Sequence, residues 1–379
     1  GHDGTITLIG EEPAPPYQRP PLSKGYLLGE MELERLYLRA PSFWEEQNVT
    51  LKLGAPVTAI DRSARTVRVG GETVAYDQLA LTTGSRPRRL PAAIGGDLPG
   101  VYTVRALADV DAMAPEFRPG RRLLIVGGGY IGLEAAAVGA KLGLQVTVIE
   151  MAPRILQRVA APETSDYFRR LHADHGVTIL ENTGLDRLTG EGHVSGATLS
   201  DGREIDVDFA IVGVGITPST LLAEEAGLEI ENGIRTDAHG RTSDPHIWAA
   251  GDCASFPHDG GRIRLESVGN AIDQAEVVAA NMLGAETPYL AKPWFWSDQY
   301  DTKLQIAGLN TGYDRIVTRP GDGGAVSFWY YRGDTLLALD AMNDARAYMI
   351  GKRLIEAGKS PNPALIADPA ADLKPLLKA

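Results

Sequence analysis

The chain has 379 residues and a mass of 40.6 kDa, with 44% hydrophobic and 23% charged residues, a composition that excludes disordered and fibrous folds. Its 37 Lys and Arg against 49 Asp and Glu leave a net charge of -12, which argues against general nucleic-acid binding. The single cysteine, Cys253, excludes an internal disulfide, a redox dithiol and a four-thiolate iron–sulfur cage.

No run of about 18–20 uncharged apolar residues occurs, nor a basic-then-apolar leader, so a cytoplasmic protein with no membrane segment is expected. The length suggests two or three domains. Residues 5–11 and 146–150 are both β-branched apolar runs that end in an acid, Glu11 and Glu150, as buried parallel strands do. The second copy has an upstream half. Residues 121–126 predict a strand that runs into Gly127-Gly128-Gly129-Tyr130-Ile131-Gly132, then a helix to about Leu142 that Gly143 ends. The first copy has no such half in this sequence, which predicts a preceding strand, glycine loop and helix of roughly 30 residues.

Further along, Val67–Val69 and Thr73–Tyr76 alternate as short strands, and the apolar run Leu79–Thr82 ends at Thr83-Gly84. An α/β stretch runs from residue 150 to Ala210–Gly215, and residues 247–252 predict a buried strand stopping at Asp252. From Pro293 the pattern changes to antiparallel runs at 303–307, 315–319, 325–332 and 335–341, closed by helical segments.

The G-x-G-x-x-G run is weak alone, but here it follows a strand, opens a helix, and precedes Glu150 by 18 residues. Its glycines allow a tight turn and let backbone N–H groups reach a pyrophosphate. Glu150 can accept two hydrogen bonds from a ribose diol and repels a 2′-phosphate, so NADH is expected over NADPH. Arg154 nearby blurs that preference. Asp252 could bind the hydroxyls of a second cofactor's sugar-like chain, though Gly-Asp is also an ordinary turn pair. Glu11 could cap a strand or hold a second ribose. Residues 15–24 set Arg19, Ser23 and Lys24 among prolines that fix φ. Such a loop suits an arginine gripping pyrophosphate and a lysine aimed at a ring that turns anionic on reduction, or a plain exposed loop. Pro293-Trp294-Phe295-Trp296 is either core packing or a wall beside a flat cofactor ring.

Together these residues resemble the FAD-dependent NADH:ferredoxin reductases of bacterial oxygenase systems, over essentially the whole chain. The matching motifs are 19–24, Thr82-Thr83-Gly84, Gly127–Glu134, Gly251-Asp252 and Trp294–Gln299. The resemblance implies an α/β, glutathione-reductase-like fold with two Rossmann-type nucleotide-binding domains, one inserted in the other. The divisions are 1–104 with 235–292 for FAD, 105–234 for NAD, and a C-terminal α+β domain over 293–379. It implies FAD contacts at Glu11, Arg19, Lys24, Val57, Thr83, Gly84, Arg105, Asp252, Val268 and Trp296. For NAD it implies Gly127, Gly129, Ile131, Gly132, Glu134, Glu150, Arg154 and Gly215. Lys24 would lie near flavin N5, and Glu134, on the first turn after the glycine loop, would face Lys24 and the nicotinamide carboxamide. A first-turn glutamate also suits the helix dipole. Two departures stand out: the family's first FAD glycine fingerprint is absent from these residues, and Glu11 stands where relatives often carry aspartate.

With no dithiol, electrons should leave directly from the flavin. The expected activity is hydride transfer from NADH to FAD, then single electrons to a [2Fe–2S] ferredoxin serving a cytochrome P450 or Rieske dioxygenase. The rival readings are another acceptor (rubredoxin, quinone or oxygen) and a nucleotide-sensing protein like the apoptosis-inducing-factor relatives. Arg86, Arg88 and Arg89, with Lys352 and Arg353, are either a docking patch or a solvated basic face.

Overall fold

In a computed structural model describing residues 2–378, the chain divides by packing into two units. One comprises the chain up to Arg19, Met31–Arg86 and Ile216–Ala291; the other comprises Pro20–Glu30, Pro87–Gly215 and the chain from Lys292 onward.

In the first unit the apolar run Ile6–Ile9 pairs in parallel with Val49–Lys52. Val57–Asp61, Thr66–Val69 and Glu72–Ala75 form an antiparallel meander, two-faced as their alternation requires. Leu79–Leu81 pairs in parallel with Ile247–Ala249. Leu81, Ile247, Ala249 and Cys253 are buried in one cluster with Ala223, Leu228 and Ile234. The helix Val268–Met282 packs on the turn Gly251–Cys253, where the Gln274 side-chain oxygen accepts from the Gly251 N–H at 2.9 Å.

The second unit holds a five-stranded parallel sheet in the order Thr178–Leu180, Gln145–Ile149, Arg122–Val126, Phe209–Val212, Val101–Tyr102. Leu123, Leu124, Ile125 and Val126 are all buried, as both faces of a covered parallel strand demand. The helix Tyr130–Lys141 returns over this sheet. It ends as expected at Gly143, in the left-handed region (φ 79), with the Leu144 and Gly143 N–H groups donating to Gly139 and Ala140 carbonyls at 3.0 Å each.

From Lys292 the unit continues as an antiparallel sheet in the order Trp294–Gln299, Thr302–Gly308, Thr335–Met342, Val326–Arg332, Arg315–Pro320, covered by the helix Ala345–Glu356. The four expected strands are there. The aromatic run adds a fifth, at the edge.

The packing units cut the chain elsewhere than the sequence division. Pro20–Ser23 sits on the Tyr130–Lys141 helix, and Val101–Tyr102 extends the parallel sheet, so 20–30 and 87–104 go with the second unit. The part from Lys292 stays with that unit because Leu133, Ile155 and Phe168 share a core with Leu304, Phe328 and Met342. Among the described residues no helix is long and apolar enough to cross a membrane.

Two buried titratable groups in this unit have opposite linkage to stability. Asp340, 1% exposed, accepts from the Thr164 hydroxyl at 2.6 Å and from the Tyr330 hydroxyl, with no cation paired to it among the described residues. Burial pushes its carboxyl up to about 6, so folding is favoured below its unfolded pKa near 4 and that stability is lost as pH rises to 6. Burial lowers His172 to about 4, so its contribution is present above pH 6.5 and lost as pH falls. The two slopes offset between pH 4 and 6. Asp340→Asn keeps an acceptor for both hydroxyls and removes one slope. The variant should match wild type near pH 4 and exceed it by about 2–3 kcal/mol at pH 8, read by chemical denaturation at both values. Equal differences at the two pH values would refute it.

Candidate functional site

In the second unit the glycine loop leaves the C-terminal end of Arg122–Val126, where the neighbouring strands diverge in sequence order, a switch point at which ligands collect. Each glycine has its own reason. Gly127 lies at φ 109, and a Cβ on it would meet the Gly213 carbonyl oxygen at 2.4 Å. A Cβ on Gly128 would strike Ile155 at 2.6 Å, and one on Gly132 would meet the Gly127 carbonyl oxygen at 2.3 Å. Around Gly129 nothing lies within 4 Å of that position. Three glycines close the turn, and the fourth opens onto space at the uncapped start of a helix. That is a cradle for an anion.

Leu156, buried and at φ 55, donates its N–H to the Gly128 carbonyl at 2.9 Å from below the loop. A left-handed leucine is rare enough to mark a held conformation, and nothing in the sequence pattern singled it out. Glu150 ends the adjacent strand as expected. Its two carboxylate oxygens accept from the Gly128 and Ala152 N–H groups, each at 2.8 Å, so Glu150 braces the loop as well as facing it. Arg154 is turned to Ser165 Oγ, donating at 2.6 Å. Ile131 is 45% exposed on the first helical turn, and the Gly215 carbonyl accepts from Arg88 N–H at 2.9 Å beside the sheet.

Glu134 is not a first-turn residue. The helix starts at Tyr130, so Glu134 begins the second turn, is 6% exposed, and gains nothing from a free helix end. Its partners are side chains brought from far along the chain. Lys24 Nζ lies 3.1 Å from Oε1, Ser297 Oγ donates to Oε1 at 2.7 Å, and Ser23 Oγ donates to Oε2 at 2.9 Å. Burial pushes the carboxyl above the usual range, while Lys24 and the two hydroxyls pull it down. Lys24 also approaches Asp298 at 3.7 Å and stands 5.8 Å over the Trp296 ring.

The aromatic run splits by strand alternation between two faces. Phe295 turns to Tyr130 at 4.9 Å between ring centroids, which is core packing. Trp294 and Trp296 stack at 5.4 Å on the other, half-buried face of the edge strand, with Lys352 5.4 Å over Trp294. Of the basic residues, Lys352 is also paired with Glu356 at 3.6 Å, whereas Arg88, Arg89 and Arg353 are exposed. Arg105 lies just before the helix Leu107–Met113, its N–H donating to Asp109 at 3.0 Å.

In the first unit, the parallel strands Leu79–Leu81 and Ile247–Ala249 end at Thr83-Gly84 and Gly251-Asp252. Ser85 Oγ donates to Asp252 at 2.9 Å, and Thr83 Oγ1 donates to the Ser219 carbonyl at 2.7 Å. Gly84 lies at φ 66, so the turn needs it. Val268, 36% exposed, opens the 15-residue helix that packs on Gly251, giving strand ends and a helix start at one place. Glu11 pairs with Arg86 at 3.3 Å, and Arg19 with Glu12 at 2.5 Å, so each arrives with a local counter-charge. Val57 begins the meander. Cys253 is buried with its thiol pushed up by burial, the opposite of a reactive sulfur.

Residues 1–275 match the family described as pyridine nucleotide-disulphide oxidoreductase, and residues 294–377 match the reductase C-terminal family. The chain is 41% identical to rhodocoxin reductase of Rhodococcus erythropolis, spanning 99% of this chain and 88% of that protein. It is 39% identical to putidaredoxin reductase of Pseudomonas putida, spanning 100% and 92%. Its structure matches the covalent putidaredoxin reductase–putidaredoxin complex with a TM-score of 0.95 at 38% identity, over 99% of this chain and 92% of that one. The ferredoxin reductase for the CYP199A2 system of Rhodopseudomonas palustris gives the same score and identity, over 99% and 94%. The chain therefore belongs to the pyridine nucleotide-disulphide oxidoreductase family, among the ferredoxin reductases of oxygenase systems.

Proposed function

We propose that this chain is a cytoplasmic NADH:ferredoxin reductase that takes reducing equivalents in pairs from NADH. It would release them singly to a [2Fe–2S] ferredoxin serving a cytochrome P450 or a Rieske dioxygenase. The observation that carries the reading is the pairing of Lys24 with Glu134, buried on the helix that opens at the glycine cradle, in a chain whose only cysteine is buried. FAD, when bound, supplies the conversion from hydride to single electrons.

The residues' parts follow from their chemistry. Gly127, Gly129 and Gly132 with Ile131 and Gly215 seat the dinucleotide, and Glu150 takes its ribose hydroxyls while Arg154 stands beside. Lys24 places a cation where negative charge develops, and Glu134 orients both that lysine and the carboxamide. In the first unit Glu11, Arg19, Val57, Thr83, Gly84, Asp252 and Val268 are the residues we assign to FAD; in the second we assign Arg105, Lys24 and Trp296. In functional terms 1–104 with 235–292 serve FAD, 105–234 serve NAD, and 293–379 serve the partner.

A Glu150→Ala change removes the charge that would repel a 2′-phosphate. The preference for NADH over NADPH, as the ratio of kcat/KM values, should fall by about tenfold; an unchanged ratio would remove Glu150 from specificity. The function itself is tested by steady-state NADH oxidation with a [2Fe–2S] ferredoxin, a rubredoxin, a quinone or oxygen as acceptor. The ferredoxin should give by far the largest kcat/KM, and a preference for any other acceptor would overturn the reading.

A further inference from the structure

Glu134 is the end of a longer line of hydrogen bonds. Ser297 Oγ lies 2.7 Å from Glu134 Oε1, Gln299 Nε2 lies 3.1 Å from Ser297 Oγ, and Gln299 Oε1 lies 2.8 Å from His172 Nε2. Tyr300 Oη then lies 3.0 Å from His172 Nδ1. Ser297, Gln299 and His172 are each 1% exposed or less. Only at Tyr300 does the line reach the surface, where the exposed His175 stacks on the ring at 3.6 Å.

The chemistry of each group fixes the direction. A carboxylate can only accept, so Ser297 donates to Glu134 and has its lone pairs left for Gln299, whose amide nitrogen can only donate. Gln299 Oε1 can only accept, so His172 carries its proton on Nε2. Burial keeps that imidazole neutral by lowering it to about 4, so Nδ1 is an acceptor and the Tyr300 hydroxyl donates to it. Four donors in series point the same way, toward Glu134. Hydrogen bonds so aligned polarise one another in a buried setting.

We propose that Tyr300, His172, Gln299 and Ser297 are positioning residues: they form a one-way hydrogen-bond chain that stabilises the ionised form of Glu134 and holds it against Lys24. The charged groups facing Glu134 are Lys24 and, beyond it, Asp298; the hydroxyls of Ser23 and Ser297 complete its surroundings. Without the chain, the burial that already raises the Glu134 carboxyl meets less opposition. Proton conduction is not its role, because an amide at the middle link passes a proton only by changing its bonding. The consequence for turnover rests on the function proposed above; the effect on Glu134 does not.

The test uses the holoenzyme with Gln299→Leu, His172→Leu and His172→Gln, the last keeping a donor near the Nε2 position. Infrared difference spectra across a pH titration, with the Glu134 band assigned by its loss in Glu134→Gln, report the carboxyl directly. Both leucine variants should move the Glu134 midpoint upward and slow flavin reduction by NADH about fivefold at saturating NADH, and His172→Gln should restore both. A Glu134 titration in Gln299→Leu that coincides with wild type would overturn the proposal, and that variant decides alone if His172→Leu does not fold. A shifted midpoint in the leucine variants, with flavin reduction unimpaired in Glu134→Gln, would uphold the chain while removing the role assigned to the pair.

Discussion

Lys24→Ala should slow the reduction of bound FAD by NADH by roughly 10²-fold, the usual loss when one preorganised charge partner is removed from a buried site. The lysine is 17% exposed and sits 3.1 Å from a carboxylate that is 7% exposed, so neither charge is well solvated. Removing the cation therefore has a second effect. Glu134 keeps only the Ser23 and Ser297 hydroxyls, and an unpaired buried charge costs about 3–5 kcal/mol of stability. The two effects separate in the double variant Lys24→Ala/Glu134→Gln. It should regain most of the stability, measured by denaturation, but none of the rate, measured by stopped-flow under anaerobic conditions. A normal rate in Lys24→Ala would take the lysine out of the chemistry.

The glycine loop predicts two alanine variants with opposite defects. Gly132→Ala places a Cβ 2.3 Å from a backbone oxygen and 3.1 Å from Ile125, in a helix that is buried along this face. The backbone must shift, and a loss of about 3 kcal/mol or more is expected, as for other overpacked core positions. Gly129→Ala meets nothing within 4 Å and needs no unusual φ, since Gly129 lies at -82°. It should fold as well as wild type and yet raise the KM for NADH about tenfold, because the methyl fills the space a pyrophosphate needs. Thermal denaturation and NADH kinetics on both proteins check this. Equal stability of the two variants, or an unchanged KM in Gly129→Ala, would contradict the division of labour within the loop.

What could be read along the chain was what the chain states locally. The buried strands at 122–126 and 145–149, the glycines between strand and helix, Gly143 at the helix end and the acid at 150 all lie within one βαβ unit. Their periodicity and turn chemistry need no distant partner. The Lys24–Glu134 pairing came from family resemblance, since 110 residues separate the two. Ser297 and Gln299 entered only through the family motif Trp294–Gln299, beyond the aromatic run itself. Their importance comes from strand alternation, which turns 295, 297 and 299 toward the Tyr130–Lys141 and Pro162–Asp174 helices while 294 and 296 face away. His172 lies in the α/β stretch after residue 150, where no motif singles it out. Its meaning lies 127 residues downstream at Gln299, in a register no local pattern announces. Glu134 lies one turn further along the helix than expected, which removes the helix-dipole alternative and leaves it beside Lys24.

Thiol-free conversion of paired into single electrons is measured most directly by anaerobic titration of the flavin-loaded Cys253→Ser protein with NADH in the presence of excess [2Fe–2S] ferredoxin. Each NADH consumed should reduce two ferredoxins, as in wild type. Failure of NADH to bleach the flavin, or loss of ferredoxin reduction when this one sulfur is replaced, would contradict the account.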